Sequence, residues 1–551
     1  MTGKRPPKVT AALASKTIRR FLSQRGLSEQ ALSSFLDPKL ADLSAPDEMA
    51  DRAIAAKRIA RAVSEGEQIV VFGDYDCDGM TSCAILCDVL EELGALPVTA
   101  LLASRFDGGY GVSERALERI RSSSPQLVIT CDCGSSDHAT LEQLRDDGVD
   151  VIVIDHHLVP EKPLPVVAFL NPHRPECGFP YKGLASCGLA LSICAAVRAE
   201  LGKNLDVRPW LDLVAIGSIA DVAPLTQDNR ALVKAGLARL RKAERPGLRA
   251  LFELLKVDLK YPIVASDIAF RIAPRLNAPG RLGAPDAALA LLREKDPHKA
   301  ELRAAQVEQL CQSRRQIQDV MVKEAELQIA ELGLGEAPAL VLGKEGWNHG
   351  IVGIVAGRLA ESYERPALVI GFHEGVGRGS VRGPAGFPLH SALSACADHL
   401  LRFGGHQAAA GMELRIESLP AFRAAFEQAC CDCADYEPTV APLPLVLDEA
   451  DELQDVLQDL YLLEPCGEQN AAPRLEMSCA IVSSRELAGG HLKLQLRLPS
   501  GQQLGAFAPQ MAESLQGLRG QVRVVGQLRA DTYRGGDAIE MLVKSVHCDP
   551  A

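Results

Sequence analysis

Three runs along the chain, 69–72, 127–130 and 151–154, are short, apolar, rich in β-branched residues and free of alternation. That pattern predicts strands buried on both faces of a parallel sheet. Helical periodicity falls between them, over 81–93 and 139–147, so the repeating unit is βαβ. Each run ends in polar residues: Gly73-Asp74, Cys131-Asp132 and Asp155-His156-His157. In such sheets chemistry gathers beyond the carboxyl ends of the strands. All three polar clusters fall on that edge, so they are expected to form one site.

Further on, 209–220 predicts a helix with an apolar face that leads into Asp221. The uncharged stretch 183–197 is too short to span a bilayer and reads as a buried helix. Residues 300–332 carry a long charged helical pattern with Val307, Leu310, Ile317, Val320 and Met321 at its apolar positions, which predicts a connector helix. A second α/β segment follows, with strands near 339–342 and 367–371. Pro438, Pro442 and Pro444 mark a linker, and beyond it 491–498, 502–507 and 521–528 read as strands of a small OB-like barrel. The fold class is therefore α/β. It divides into an N-terminal segment (1–45), a parallel-sheet catalytic domain (46–230), a helical region with the connector (231–330), a smaller α/β domain (331–436) and the OB-like β-barrel (437–551).

Composition changes this picture in three places. With 551 residues and 47% apolar content, there is material for several cores. The net charge of −12 excludes a chain coated in positive charge, yet leaves room for a local basic groove. Two stretches are basic: Lys4, Arg5, Lys8, Lys16, Arg19, Arg20 and Arg25 without an acid, and 234–260 with eight bases against three acids. Either can be a solvated surface as readily as a binding face. The 16 cysteines form no paired C-x-x-C ribbon and read as reduced cytosolic thiols, with Cys430, Cys431 and Cys433 a weak metal cluster at most. The basic N-terminus is not followed by an apolar core segment, so a cytoplasmic protein without a membrane span is expected.

The chemistry concentrates at 74–79, Asp-Tyr-Asp-Cys-Asp-Gly. Three carboxylates alternating after a buried strand repel one another unless a cation cancels them. With Asp132, Asp155, His156, His157 and Asp221, the donor set is hard oxygen with imidazole, which suits Mn²⁺ or Mg²⁺ better than zinc. Two such ions can share a carboxylate and clamp the oxygens of a phosphoryl group.

These segments, together with Cys131-Asp-Cys-Gly134 and Ser218-Ile-Ala-Asp221-Val-Ala-Pro-Leu225, resemble the four ordered motifs of the DHH phosphoesterases. Arg105-Phe-Asp-Gly-Gly-Tyr-Gly111, Pro274-Arg-Leu-Asn-Ala-Pro-Gly-Arg-Leu282, Gly404-Gly-His-Gln-Ala-Ala-Ala-Gly411 and Glu464-Pro-Cys-Gly-Glu468 are similar to the RecJ family within that superfamily, over about 15–550. The resemblance implies a DHH catalytic domain, a DHH-associated domain and an OB domain. It implies a 5′→3′ exonuclease on single-stranded DNA that uses two Mn²⁺ or Mg²⁺ ions in repair and recombination. By the same resemblance Asp76, Asp78, Asp132, His156 and Asp221 are the metal ligands, with Asp132 bridging. Asp74 stands in the outer shell, Asp155 orients a histidine, and His157 faces the scissile phosphate.

Gly377-Arg-Gly-Ser-Val-Arg-Gly383 is Gly-rich and basic, and its backbone N–H groups, hydroxyl and guanidinium would make a phosphate cradle. In the family the matching positions, here Ser380, Arg382 and Arg105, grip the terminal 5′ phosphate. His406 reads either as a phosphate contact or as a helix start in a tight core. Arg275, Asn277 and Arg281 are candidates for the strand channel. One departure stands out. Family members carry Trp-His before the following Gly-rich segment, whereas here Trp347-Asn348-His349-Gly350 moves the histidine by one position. A single-stranded-DNA-binding protein is the partner that the family implies, and a monomer is expected. Two other readings stay open: a DHH phosphodiesterase for short oligoribonucleotides or cyclic dinucleotides, and a non-catalytic DHH scaffold.

Overall fold

The computed structural model describes residues 13–548 except 14, 27, 407–408, 434–435, 437–441, 516, 532–533 and 536–537. Lys4, Arg5, Lys8 and Pro438 therefore lie outside the described residues.

The catalytic domain is built on a five-stranded, wholly parallel sheet: β1 (Ile69–Gly73), β2 (Thr99–Leu102), β3 (Leu127–Cys131), β4 (Asp150–Ile154) and β5 (Ala168–Leu170), in the order β2-β1-β3-β4-β5. Every residue of β1 and β3 is buried, which explains their unbroken apolar runs. The first crossover helix, Cys77–Leu93, starts where Asp76 caps its N-terminus by accepting the Asp78 and Gly79 N–H groups. Gly79 is required there, because a Cβ would lie 2.5 Å from the Asp74 backbone. Helices Ser186–Glu200 and Leu211–Ala220 pack on this one, and together they bury one face of the sheet.

The connector helix runs over Pro297–Glu331, 35 residues, close to its predicted span. It leads into a mixed sheet of β6 (Leu340–Glu345), β7 (Ala367–His373), β8 (Val376–Arg382), β9 (Arg402–His406) and β10 (Ala409–Arg415), ordered β6-β7-β8-β10-β9. The Gly-rich stretch, whose backbone N–H groups were expected to cradle a phosphate, is β8, hydrogen-bonded to β7 on one side and β10 on the other. Its glycines answer crowding: a Cβ at Gly377 would sit 2.5 Å from the Phe372 ring, and one at Gly379 2.8 Å from Met412 Sδ.

The C-terminal barrel comprises β11 (Leu445–Val446), β12 (Leu475–Leu487), β13 (His491–Arg497), β14 (Gln503–Ala508), β15 (Gly520–Ala530) and β16 (Ile539–Cys548). It is closed by pairing of β12 with β15. The N-terminal helix Lys16–Gln24 packs into this barrel's core through Ile18 and Leu22, and Asp451 accepts the Lys16 and Thr17 N–H groups. The strap that precedes the barrel is fastened to the catalytic half. Leu225 N–H donates to Glu468 O at 2.9 Å, Glu464 accepts from Ala265 N–H at 3.1 Å, and Arg230 donates to Pro465 O at 3.1 Å. Among the described residues no helix is long and apolar enough to cross a membrane.

Candidate metal centre and phosphate pocket

The carboxyl ends of β1, β3 and β4 and the C-terminus of the helix Leu211–Ala220 converge. His156 Nε2 lies 3.2 Å from Asp132 Oδ1, 3.5 Å from Asp221 Oδ2 and 4.0 Å from Asp78 Oδ2. Three overlapping groups, Asp132-His156-His157, Asp78-His156-Asp221 and Asp74-Asp76-Asp132, each bring potential ligand atoms within 4.8 Å of one another. Asp132 belongs to two of them. Asp74 stands inside the third group. Two of the turns involved are strained: Asp132 has φ 62 and Val222, next to Asp221, has φ 58, a conformation that β-branched residues avoid. Asp78 is fixed by the N-terminus of a neighbouring helix, accepting the Ser186 and Cys187 N–H groups at 2.7 and 3.0 Å.

Electrostatics single out the same spot. Burial, then repulsion from Asp78, Asp76, Asp221 and Asp74, pushes the Asp132 carboxyl well above its usual range. Burial and Asp76 do the same to Asp74, and burial with Asp78 and Asp76 raises Asp221 to about 9. His156 is pulled below its ordinary value by burial, which leaves it neutral and able to ligate. Its buried Nε2 has no hydrogen-bond partner despite three nearby carboxylates, and Asp74 Oδ1 is likewise unpartnered. Buried polar atoms without partners, and mutually repelling carboxylates, are what divalent cations would satisfy. The donor set of hard oxygens and imidazole fits Mn²⁺ or Mg²⁺.

Asp155 does not point into this cluster. Its Oδ1 lies 2.7 Å from His157 Nδ1, and its Oδ2 accepts the Ser135 N–H at 3.1 Å. Burial alone would raise Asp155, but its hydrogen bonds and the His157 charge outweigh that and hold it at about 2. For His157, burial is overcome by Asp155, and the imidazole is raised above its usual value. Sequence reasoning missed one participant. The Tyr110 hydroxyl donates to Asp132 O at 3.1 Å and lies 2.9 Å from His157 Nδ1. It stood within the 105–111 motif, but its role depends on contacts remote in sequence.

A second locus is cationic. Arg382 donates to Ser380 Oγ at 2.7 Å, and the start of the helix Val352–Tyr363 abuts the pair: a Cβ on Gly353 would be 3.1 Å from Ser380 Oγ and 3.2 Å from Arg382 Nη2. Since β8 spends its own backbone on the sheet, backbone donors here would have to come from this helix N-terminus. Arg105 stacks over the Tyr75 ring at 3.9 Å, with its buried Nε unpartnered. Burial and then Arg105 lower the Arg382 pKa, so the two guanidinium groups feel each other across the domains. Arg281 donates to Gly350 O at 3.1 Å. Arg275 instead pairs with Glu308 at 2.8 Å, fastening the helix Ala273–Arg281 to the connector, and Asn277 Oδ1 is buried without a partner. His406 ends β9 rather than starting a helix, and its side chain lies outside the described residues. Asn348 starts the helix at Gly350–Val352 by accepting N–H groups of Gly350, Ile351 and Val352, while His349 packs against Gly371. The basic run 234–260 is largely tied up internally: Lys234 on Leu36 O, Arg241 on Lys260 O, and Arg245 on Asp88 and Asp212.

A parallel sheet whose strand ends gather carboxylates around His156 and His157, faced by a basic pocket on a second domain, defines a metal-dependent phosphoesterase of the DHH class. Family models agree: the DHH family N-terminal domain matches 68–218, the DHHA1 domain 336–432 and the RecJ OB domain 445–545. The single-stranded-DNA-specific exonuclease RecJ of Bacillus subtilis (strain 168) is 34% identical over 97% of this chain and 68% of its own length. That of Dickeya dadantii (strain 3937) is 32% identical over 96% and 95%. The crystal structure of RecJ in complex with Mn²⁺ from Thermus thermophilus superposes with a TM-score of 0.82 at 33% identity, covering 99% of this chain and 79% of that one; the Mg²⁺ complex from the same organism gives 0.75 at 31%, covering 99% and 78%. The chain belongs to the RecJ family of metal-dependent exonucleases.

Proposed function

We propose that the chain removes nucleotides from the 5′ end of single-stranded DNA, in repair and recombination, using Mn²⁺ or Mg²⁺ held by Asp76, Asp78, Asp132, His156 and Asp221. The observation that carries this reading is the pairing of an acidic cluster on one domain with the cationic group of Arg382 and Arg105 beside Ser380, built across both. Bound cations would activate water and neutralise the phosphoryl oxygens. The protein's own residues do the rest. Ser380, Arg382 and Arg105 hold the terminal 5′ phosphate, which fixes which bond lies over the acidic cluster. Asp155 occupies His157 Nδ1, so Nε2 is the atom that His157 presents, and its raised proton affinity lets it donate to a phosphate oxygen as charge grows there. Asp132, buried and shared by two of the three groups, is the carboxylate best placed to bridge. We assign the protein to the cytoplasm, as a monomer with a single-stranded-DNA-binding protein as partner.

The test is product analysis on a 5′-phosphorylated single strand with Mn²⁺, beside a blunt duplex and with Asp132→Ala as control. Mononucleotides released from the single strand by wild type alone are the expected result. Equal attack on the duplex overturns the proposal, and cleavage of only dinucleotides or cyclic dinucleotides assigns the site to small substrates.

A further inference from the structure

Arg105 and Tyr110 sit on one turn, and hydrogen bonds make it a single body. Ser104 O accepts the Asp107 and Gly109 N–H groups at 3.1 and 3.2 Å, the Ser113 hydroxyl donates to Asp107 O at 2.7 Å, and the Asp137 carboxylate accepts the Val112 N–H at 2.7 Å. A displacement at one end is therefore felt at the other. The Arg105 end faces the phosphate pocket. Its guanidinium lies over the Tyr75 ring, its buried Nε has no hydrogen-bond partner among the described residues, and its carbonyl accepts from Arg378 of β8 at 3.4 Å. The Tyr110 end reaches the histidines. Its hydroxyl lies 2.9 Å from His157 Nδ1 while donating to Asp132 O at 3.1 Å, and its ring stands edge-on to the imidazole with centroids 5.3 Å apart. Asp155 Oδ1 is 2.7 Å from the same nitrogen, so a proton on Nδ1 has two acceptors. Of the two, the hydroxyl is the one that belongs to the element carrying Arg105.

Resting on the function proposed above, we infer that Tyr110 is a positioning residue that couples recognition of the 5′ terminus to turnover. A terminal phosphate shared by Arg105, Arg382 and Ser380 fastens the turn to β8, and the turn then steadies the His157 ring through the Tyr110 hydroxyl. Binding at the terminus thereby raises the rate and not only the affinity. Without that phosphate, Asp155 still holds Nδ1, but the turn no longer steadies the direction of the ring.

The test compares wild type with Tyr110→Phe on two single strands of one sequence, one ending in a 5′ phosphate and one in a 5′ hydroxyl, with Mn²⁺. Release of a labelled first nucleotide is followed in single turnover, since later termini are the enzyme's own products. Wild type should reach a higher maximal rate on the phosphorylated strand. Tyr110→Phe should lower that rate by about tenfold, with the half-saturating strand concentration within about twofold, and should change the rate on the hydroxyl strand by less than about twofold. Equal loss on both strands overturns the inference, as does recovery of the variant at higher Mn²⁺, which would assign Tyr110 to the metal site through Asp132. Equal maximal rates of wild type on the two strands overturn it without any variant. Failure of wild type to degrade either strand would instead overturn the function on which it rests.

Discussion

Asp155 Oδ1 stands 2.7 Å from His157 Nδ1 and also accepts the backbone N–H groups of His156 and His157, at 2.8 and 3.2 Å. One carboxylate therefore sets both the ring and the turn that carries the two histidines. This is the arrangement by which an outer carboxylate orients a histidine and raises its basicity.

Replacing Asp155 with Asn keeps the shape and removes the charge. His157 owes its raised proton affinity to Asp155, against the pull of burial, so its pKa should fall. Activity that needs the protonated ring should then disappear at lower pH, with kcat down by about 10–100-fold. The kcat–pH profile checks this: an unmoved basic limb means that His157 is not the group titrating.

Metal-free protein should lose stability as pH rises. Asp132, Asp74 and Asp221 bind protons more tightly folded than unfolded, because burial and mutual repulsion raise their pKa values. Their protonated forms support the fold below the ordinary carboxylate range. That support fades as pH climbs through the folded values, up to about 9 for Asp221. The melting temperature in chelator should be lower at pH 8 than at pH 5. Added Mn²⁺ should reverse the trend, since it binds the deprotonated cluster. Parallel melts with and without Mn²⁺ settle it, and a metal-free protein insensitive to pH would refute it.

Gly377→Ala should destabilise the fold by about 1–3 kcal/mol, as overpacking does. The new methyl would meet the Phe372 ring at 2.5 Å and Ile370 Cγ2 at 2.6 Å. A urea midpoint equal to that of wild type would show that β7 and β8 can part without cost.

Arg230→Ala should loosen the barrel. Arg230 is buried, lies over the Phe35 ring at 3.8 Å, and donates to Phe35 O and Pro465 O. Its loss takes this donor from Phe35 O and Glu464 O, while Asn470 still donates to Pro465 O, at a cost of about 1–3 kcal/mol. Faster proteolytic release of a fragment ending near the strap, at unchanged cutting elsewhere, is the expected readout.

Much of the catalytic sheet was legible because strands buried on both faces need unbroken apolar runs, and β1, β3 and β4 are such runs. Their shared edge then placed Asp132, His156 and the 74–78 carboxylates together. What misled was local chemistry with non-local causes. The glycines of β8 read as a backbone cradle for phosphate, yet they are there because Phe372 and Met412 fill the space where side chains would go. Lys234 and Arg241 looked available to a ligand, but carbonyls far along the chain or across a turn take them. Arg275 found Glu308 a long way down the sequence, and Tyr110 found Asp132 and His157. None of these partners leaves a periodic trace.

Leu225 lies four residues past Asp221, and its N–H reaches Glu468 in the strap before the barrel. The structural joint between the two halves is therefore not at Pro442 and Pro444, where a diagram of domains would draw it. A chimaera cut there would trade away the acceptor for Leu225 along with the barrel. Cut after Asn470, the graft would leave that acceptor with its native donor, so a module that can be exchanged whole begins only from that point in the chain.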